Sequence, residues 1–326
     1  MDDMVAREYA AAQTGSVMID ASAWGRLQLT GKTRLDFLHR LSTNDVAKLQ
    51  VGQGAATIFT TPIARMIDRT IVYVRADDVM MLTSRDNQVR VLTWLKKYIF
   101  FNDDVQIKDQ TDATGMISIY GPTASKVVRT IGVDLVSLPL HHWREVYIGP
   151  VSVMIARADP MASSGFHLIF DRSAMPQMWQ ALIAVGVVPI TEQTYQVLRV
   201  EAGYPEFGHE LSEDYIPLEA NLWSDVSFTK GCFTGQEIIA RMESRQRLAK
   251  HLIGLRFDDE VTLPAALRVD DSEVGIVTSV VRSPAHGWIG LGYVKSAYGS
   301  DGQVVQSLSG ERMVTAHVAA LPFKFD

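Results

Sequence analysis

Residues 25–42 read GRLQLTGKTRLDFLHRLS: an alternating apolar run, a Gly-Lys-Thr step, then Leu35, Leu38 and Leu41 at helical spacing. Residues 115–132, GMISIYGPTASKVVRTIG, repeat that grammar, with Gly-Pro-Thr at the step and Val127, Val128 and Ile131 along the helix. Each unit predicts a short strand, a turn and an amphipathic helix. Long strand-like stretches follow, RTIVYVRADDVMMLTS after the first unit and REVYIGPVSVMIARAD after the second, and a third helix is expected over about 173–186. Two related α+β halves are the economical reading. From about residue 250 the texture changes. HLIGLRF, SEVGIVTSVVRS, GWIGLGYV, GQVVQSL and RMVTAHVAAL are short β-branched or Gly-punctuated runs between turn residues, the pattern of a small closed or sandwich-like β domain. The boundary falls near 247–250, giving an α+β region over 1–247 and a β domain over 248–326.

Composition narrows the class without naming a function. Of 326 residues, 47% are hydrophobic and 21% charged, as in ordinary globular chains. The start, MDDMVAREYAAAQTG, lacks the basic and apolar segments of a secretory signal, and no apolar run reaches the ~18 residues of a membrane span. A single cysteine excludes an internal disulfide framework, so a cytoplasmic protein with no membrane association is expected. The net charge of −6 argues against bulk nucleic-acid binding. Arg241, Arg245, Arg247 and Lys250 do cluster, but Glu237 and Glu243 stand four residues before Arg241 and Arg247, a spacing that favours ion pairs on a solvated helix face.

Most site signatures are incomplete. LTGKT (29–33) resembles the end of a phosphate-binding loop, yet the glycine required five positions earlier is Arg26. HHW (141–143) and EFGHE (206–210) lack the spacing of a metal site, and no metal ligands are expected. The segment TKGCFTGQEIIAR (229–241) is different, because it holds the one cysteine. Gly231 and Gly235 permit tight or left-handed backbone around Cys232. Thr234 and Glu237 fit a capping box, placing a helix start just beyond the thiol, with Lys230 as a nearby cation. Both features favour a thiolate if the sulfur faces that helix end. A small hydrophobe packed in a turn is the competing reading.

KGCFTGQE resembles the signature of the YgfZ family, with Lys230, Gly231, Cys232, Phe233, Gly235, Gln236 and Glu237 all matching. The upstream stretch from Arg199 and Gly203 through Pro217 and Glu219 is similar as well. FLHRLSTNDVAKLQVGQGAATIFTTPIARMIDRTIVYV resembles the folate-binding region of the glycine-cleavage T-protein superfamily. The resemblance implies a T-protein-like fold, with interleaved α+β domains around a folate pocket followed by a C-terminal β-barrel. It also implies binding of tetrahydrofolate or a related reduced folate, and a role beside iron–sulfur client or assembly proteins. One cysteine is too few for the roughly four ligands of a cluster, so the protein assists clusters and holds none alone.

Two departures from the T-protein pattern bear on chemistry. Its catalytic Ile-Asp-Asp reads Ile67-Asp68-Arg69 here, and its pterin-holding Gly-Phe-Glu reads Gly165-Phe166-His167. A carboxylate that manages protons has become a permanent cation, which argues against aminomethyl transfer. Asp68 is then the expected pocket carboxylate. Arg65, Ser84 and Arg85 are further cofactor-binding candidates because they fall near folate-lining stretches of the superfamily. The expected function is a folate-binding accessory factor for iron–sulfur enzymes with Cys232 as its functional thiol. A folate-dependent C1 transferase and a non-catalytic binding module remain the alternatives.

Overall fold

Alternating apolar positions build one antiparallel sheet and one that is antiparallel except for a short parallel edge pair, and the amphipathic helices cover their outer faces. The computed structural model describes residues 2–131, 135, 137–245 and 247–324. Gly132, at the end of the second repeat unit, and Phe325 and Asp326, at the end of the expected barrel domain, lie outside the described residues. Numbered in chain order, one sheet contains β2 (Trp24–Thr30), β3 (Gly54–Thr60), β4 (Met66–Val74), β5 (Val79–Arg85) and β6 (Gln106–Asp109), in the order β3-β4-β5-β2-β6. The other contains β1 (Val17–Asp20), β7 (Thr114–Tyr120), β8 (Trp143–Ile148), β9 (Val151–Arg157), β10 (Gly165–Asp171) and β11 (Val188–Pro189), in the order β11-β1-β7-β10-β9-β8. The chain thus begins in the second sheet, builds the first and returns, which interleaves the halves as expected.

Helices α2 (Arg34–Leu41) and α3 (Gln88–Lys96) cover the first sheet, while α4 (Ala124–Thr130) and α5 (Met175–Ala184) cover the second. Phe37, Leu38 and Leu41 are the buried positions of α2, and Leu35 packs at the margin. Burying each large side chain stabilises by about 1.5–3 kcal/mol. The two repeat units coincide with β2–α2 and β7–α4. Their turn glycines, Gly31 and Gly121, share one left-handed conformation with φ of 101° and 117°. That shared geometry accounts for the Gly-Lys-Thr and Gly-Pro-Thr steps better than a phosphate loop does.

The sheets meet face to face through Ile71, Tyr73, Met80 and Leu82 on one side and Met116, Trp143, Met154 and Ile169 on the other. The Trp143 indole N–H donates to the Val74 carbonyl at 3.0 Å and pins the two together. Helices α1 (Asp3–Thr14) and α6 (Glu192–Glu201) pack beside β1. Strands β12 (Lys250–Phe257), β13 (Ala265–Val269), β14 (Ser272–Ser283), β15 (Gly287–Lys295), β16 (Val304–Ser309) and β17 (Arg312–Ala319) close into a barrel. Five of these are the expected runs. The sixth, β13, is a five-residue strand with no long apolar signature of its own. Among the described residues no helix is long and apolar enough to cross a membrane.

Candidate functional site

Strand β4 is buried along its whole length, and strand alternation sends Asp68 and Arg69 to opposite faces. Arg69 and Ile71 face a cleft together with Leu82, Ser84 and Arg85 of β5 and Trp24 of β2. The second sheet contributes Tyr120 of β7, His167 of β10, and Asp159 and Met161 from the β9–β10 connection. Tyr195 of α6 and the following residues Tyr204, Glu206 and Phe207 complete the wall. The closed interior of the cleft is small, about 50 Å³, and the space between the walls reaches about 630 Å³ only when open solvent is included. Its walls are largely aromatic: Trp24 and Tyr195 meet edge to face at 5.7 Å, and the Arg85 guanidinium lies 4.5 Å from the Trp24 ring centre. Arg85 also pairs with Glu192 at 2.7 Å.

At the base of the cleft Arg69 is held from three directions. Its Nε donates to Asp225 Oδ2 at 2.6 Å. Nη1 donates to Asp159 Oδ2 at 3.0 Å and to the Tyr204 hydroxyl at 2.8 Å, and Nη2 donates to Asp159 Oδ1 at 3.3 Å. Burial works against each of these charges, but their mutual attraction wins. The Asp159 carboxyl, which burial alone would push up, is held down at about 2 by Arg69 and by His141, whose Nε2 lies 3.8 Å away. Burial also discourages charge on His141 and pushes His167 down to about 4, so the His167 ring is neutral at pH 7. The His167 Nδ1 shares a 2.8 Å hydrogen bond with Ser118 Oγ.

The expected site residues are divided by this arrangement. Ser84 and Arg85 line the cleft. Asp68 does not: it is sealed on the helix-covered face of β4, accepts the Ser84 backbone N–H at 3.0 Å through Oδ2, and leaves Oδ1 without a partner. Burial pushes its carboxyl up to about 6. Arg65 also stands apart, donating to the Asp214 carbonyl at 2.7 Å. Arg199 lies behind the wall, fully buried, bonded to Glu210 at 3.1 Å and to Ser279 of the barrel at 2.7 Å. The carboxylates that meet Arg69 were invisible to spacing because Asp159 is 90 residues away and Asp225 is 156.

The cysteine segment forms a separate feature whose thiol does not line the cleft. Cys232 is exposed, while Phe233 packs into an apolar cluster with Ala64, Ile216, Leu218, Val226 and Ile239. The nearby cation expected at Lys230 is spent elsewhere. Its ammonium donates to the backbone carbonyls of His39, Ser42 (2.6 Å) and Asn44 (2.9 Å), satisfying the open carboxyl end of α2. Burial pushes this lysine down to about 8. The expected capping box is also replaced. Helix α7 (Gln236–Arg245) starts after Gly235, at φ 84°, and Glu237 pairs with Arg241 at 2.7 Å. Arg247 is not helical, so Glu243 and Arg247 do not share a helical face.

The comparisons with known proteins agree with this architecture. The GCVT N-terminal domain model matches residues 1–230, and the glycine cleavage T-protein C-terminal barrel domain model matches 250–324. The chain is 31% identical over 297 residues to "Putative transferase At1g60990, chloroplastic" of Arabidopsis thaliana, covering 90% of this chain and 69% of that protein. It is 29% identical over 330 residues to an aminomethyltransferase of Halalkalibacterium halodurans, covering 98% and 89%. The crystal structure of the glycine cleavage system aminomethyltransferase T from Bartonella henselae superposes with a TM-score of 0.87 at 21% identity, over 98% of this chain and 89% of that one. The chain therefore belongs to the GCVT N-terminal domain family, with the T-protein barrel as its C-terminal part.

Proposed function

We propose that the protein binds a reduced folate in the cleft and serves as an accessory factor for iron–sulfur enzymes, with Cys232 as its exposed functional thiol. The observation that carries this reading is the state of Arg69. By resemblance it stands where an aminomethyltransferase carries its catalytic carboxylate, and here it is tied to Asp159, Asp225 and Tyr204. A buried guanidinium so bound neither takes nor gives a proton at neutral pH. A flat ring fits the aromatic walls, and the polar groups at the base suit a pterin edge. When bound, such a folate supplies a one-carbon carrier; the chain's own residues hold and shield it.

Asp225, seven residues before Cys232, joins Arg69 to the cysteine segment, and Thr43 Oγ1 donates to its carbonyl at 2.7 Å. Cleft and thiol thus rest on one frame. Two assays test the proposal. Saturable tetrahydrofolate binding is expected by calorimetry, without ammonia release from an aminomethyl donor. In a strain lacking the gene, Cys232→Ser is expected to leave folate binding intact while iron–sulfur enzyme activities stay low. Full complementation by the serine variant rejects the thiol role. Turnover at the rate of an authentic T-protein favours the second reading, a C1 transferase, which the aminomethyltransferase relatives recommend.

A further inference from the structure

Four charged side chains border the cleft, and they differ in what each has left to offer. A guanidinium has five N–H donors. Arg69 makes four hydrogen bonds, to Asp225, Asp159 and Tyr204, and its side chain is only 6% exposed. Arg85 is stacked on Trp24 and paired with Glu192. Glu206 accepts from Gln196 at 2.9 Å and pairs with Arg199 at 3.1 Å, with Arg85 as a second nearby cation. Asp159 has Arg69 as its one permanent cationic partner, with the His141 ring 3.8 Å away, and it shares that arginine with Asp225.

Of the two aspartates on Arg69, Asp159 is the one that lines the cleft: its side chain is 18% exposed, against 5% for Asp225. A carboxylate presents about four acceptor sites. Oδ2 takes Arg69 at 3.0 Å and a long contact from the Tyr204 hydroxyl at 3.4 Å, while Oδ1 takes only the 3.3 Å bond from Arg69. Burial disfavours charge on the two neighbouring histidines, so they add less than Arg69 does to the compensation of Asp159. An anionic group with spare acceptor capacity, set among aromatic rings, recognises a flat ring that carries N–H donors on one edge.

We infer that Asp159 is the specificity-determining residue of the cleft, accepting hydrogen bonds from the 2-amino and ring N–H edge of a reduced pterin. This assignment rests on the folate reading above. It moves pterin recognition away from β4 and His167 and onto the connection between β9 and β10. The same carboxylate is a poor general base, because Arg69 keeps its proton affinity far below neutral pH. Its role is to bind and orient.

Anaerobic calorimetry with tetrahydrofolate and with its 2-desamino-2-methyl analogue tests the assignment on the full-length chain. Losing a charge-assisted hydrogen bond weakens binding by about 10- to 100-fold. Asp159→Asn is expected to weaken tetrahydrofolate binding by that factor and to weaken the analogue, which keeps its ring N–H but lacks the amino group, by clearly less. If the wild-type chain binds neither ligand, the folate reading itself fails. If it binds tetrahydrofolate and Asp159→Asn binds it as tightly, Asp159 is not the reader and the folate reading stands. Should Asp159→Asn lose its native circular dichroism, the wild-type comparison decides: weaker analogue binding supports the assignment, and equal binding overturns it.

Discussion

Asp68 and Arg69 are adjacent on β4, yet their charges meet opposite fates. Arg69 finds two aspartates, whereas Asp68 finds one backbone N–H and leaves an oxygen without a partner. Burial therefore raises the Asp68 carboxyl to about 6 from an ordinary value of 3.8. Between those values the native state keeps a proton that the unfolded chain has released, so this residue's contribution to stability falls as pH rises through the window. Asp68→Asn, which keeps the shape and removes the charge, is expected to raise stability at pH 7.5 by about 2–3 kcal/mol and to change it little at pH 4. Calorimetric melting at the two pH values checks this. An equal change at both would show that the fold does not raise the Asp68 carboxyl.

At the scale of elements, the two glycines of the cysteine motif look equivalent in sequence and are not equivalent in the fold. Gly235 sits at φ 84°, and a Cβ there would lie 2.7 Å from Thr60 Oγ1, 2.9 Å from the Thr61 carbonyl and 3.0 Å from Ala64 Cα. A Cβ on Gly231 meets nothing within 4 Å. Gly235→Ala is expected to destabilise the chain by about 1–3 kcal/mol and to speed hydrogen exchange around residues 233–239, whereas Gly231→Ala is close to neutral. Urea unfolding with exchange mass spectrometry distinguishes the two, and similar behaviour of both variants would count against the contact. The tight approach lets α7 begin against the turn after β3, where Thr60 Oγ1 donates to the Thr234 carbonyl at 2.6 Å. It also explains why a Thr-x-x-Glu pattern did not become a capping box: the left-handed glycine, not Thr234, precedes the helix.

For the whole molecule, Arg69 ties three distant segments together: β4 of the first sheet, the β9–β10 connection of the second, and the stretch leading to Cys232. Removing one member of a buried charge cluster costs about 3–5 kcal/mol, because its partners remain buried without compensation. Arg69→Met is expected to lower stability at pH 7 on that scale. The sign of its pH dependence follows from Asp159, whose carboxyl is depressed to about 2. The stabilisation it draws from Arg69 is present above about pH 4 and is lost as pH falls toward 2, so the deficit of the variant narrows in acid. Denaturation of both proteins at pH 7 and pH 3 measures it; a constant deficit would show that the pair contributes no pH-dependent stability.

Local periodicity determined the repeated strand–turn–helix units, five of the six barrel strands and the position of the cysteine motif, because each depends on neighbours within a few turns of chain. The resemblance carried by KGCFTGQE and by the segment around Arg69 extended that to the fold. What the chain could not reveal by spacing was which charges meet. Asp159 and Asp225 join Arg69 across 90 and 156 residues, and Lys230 crosses 186 or more to reach the carbonyls at the end of α2. Strand alternation alone places Asp68 and Arg69 on opposite faces, but only the packing of the second sheet decides which face becomes the cleft. Buried charge is tolerated only where a partner arrives from elsewhere, and that arrival is a property of the tertiary structure.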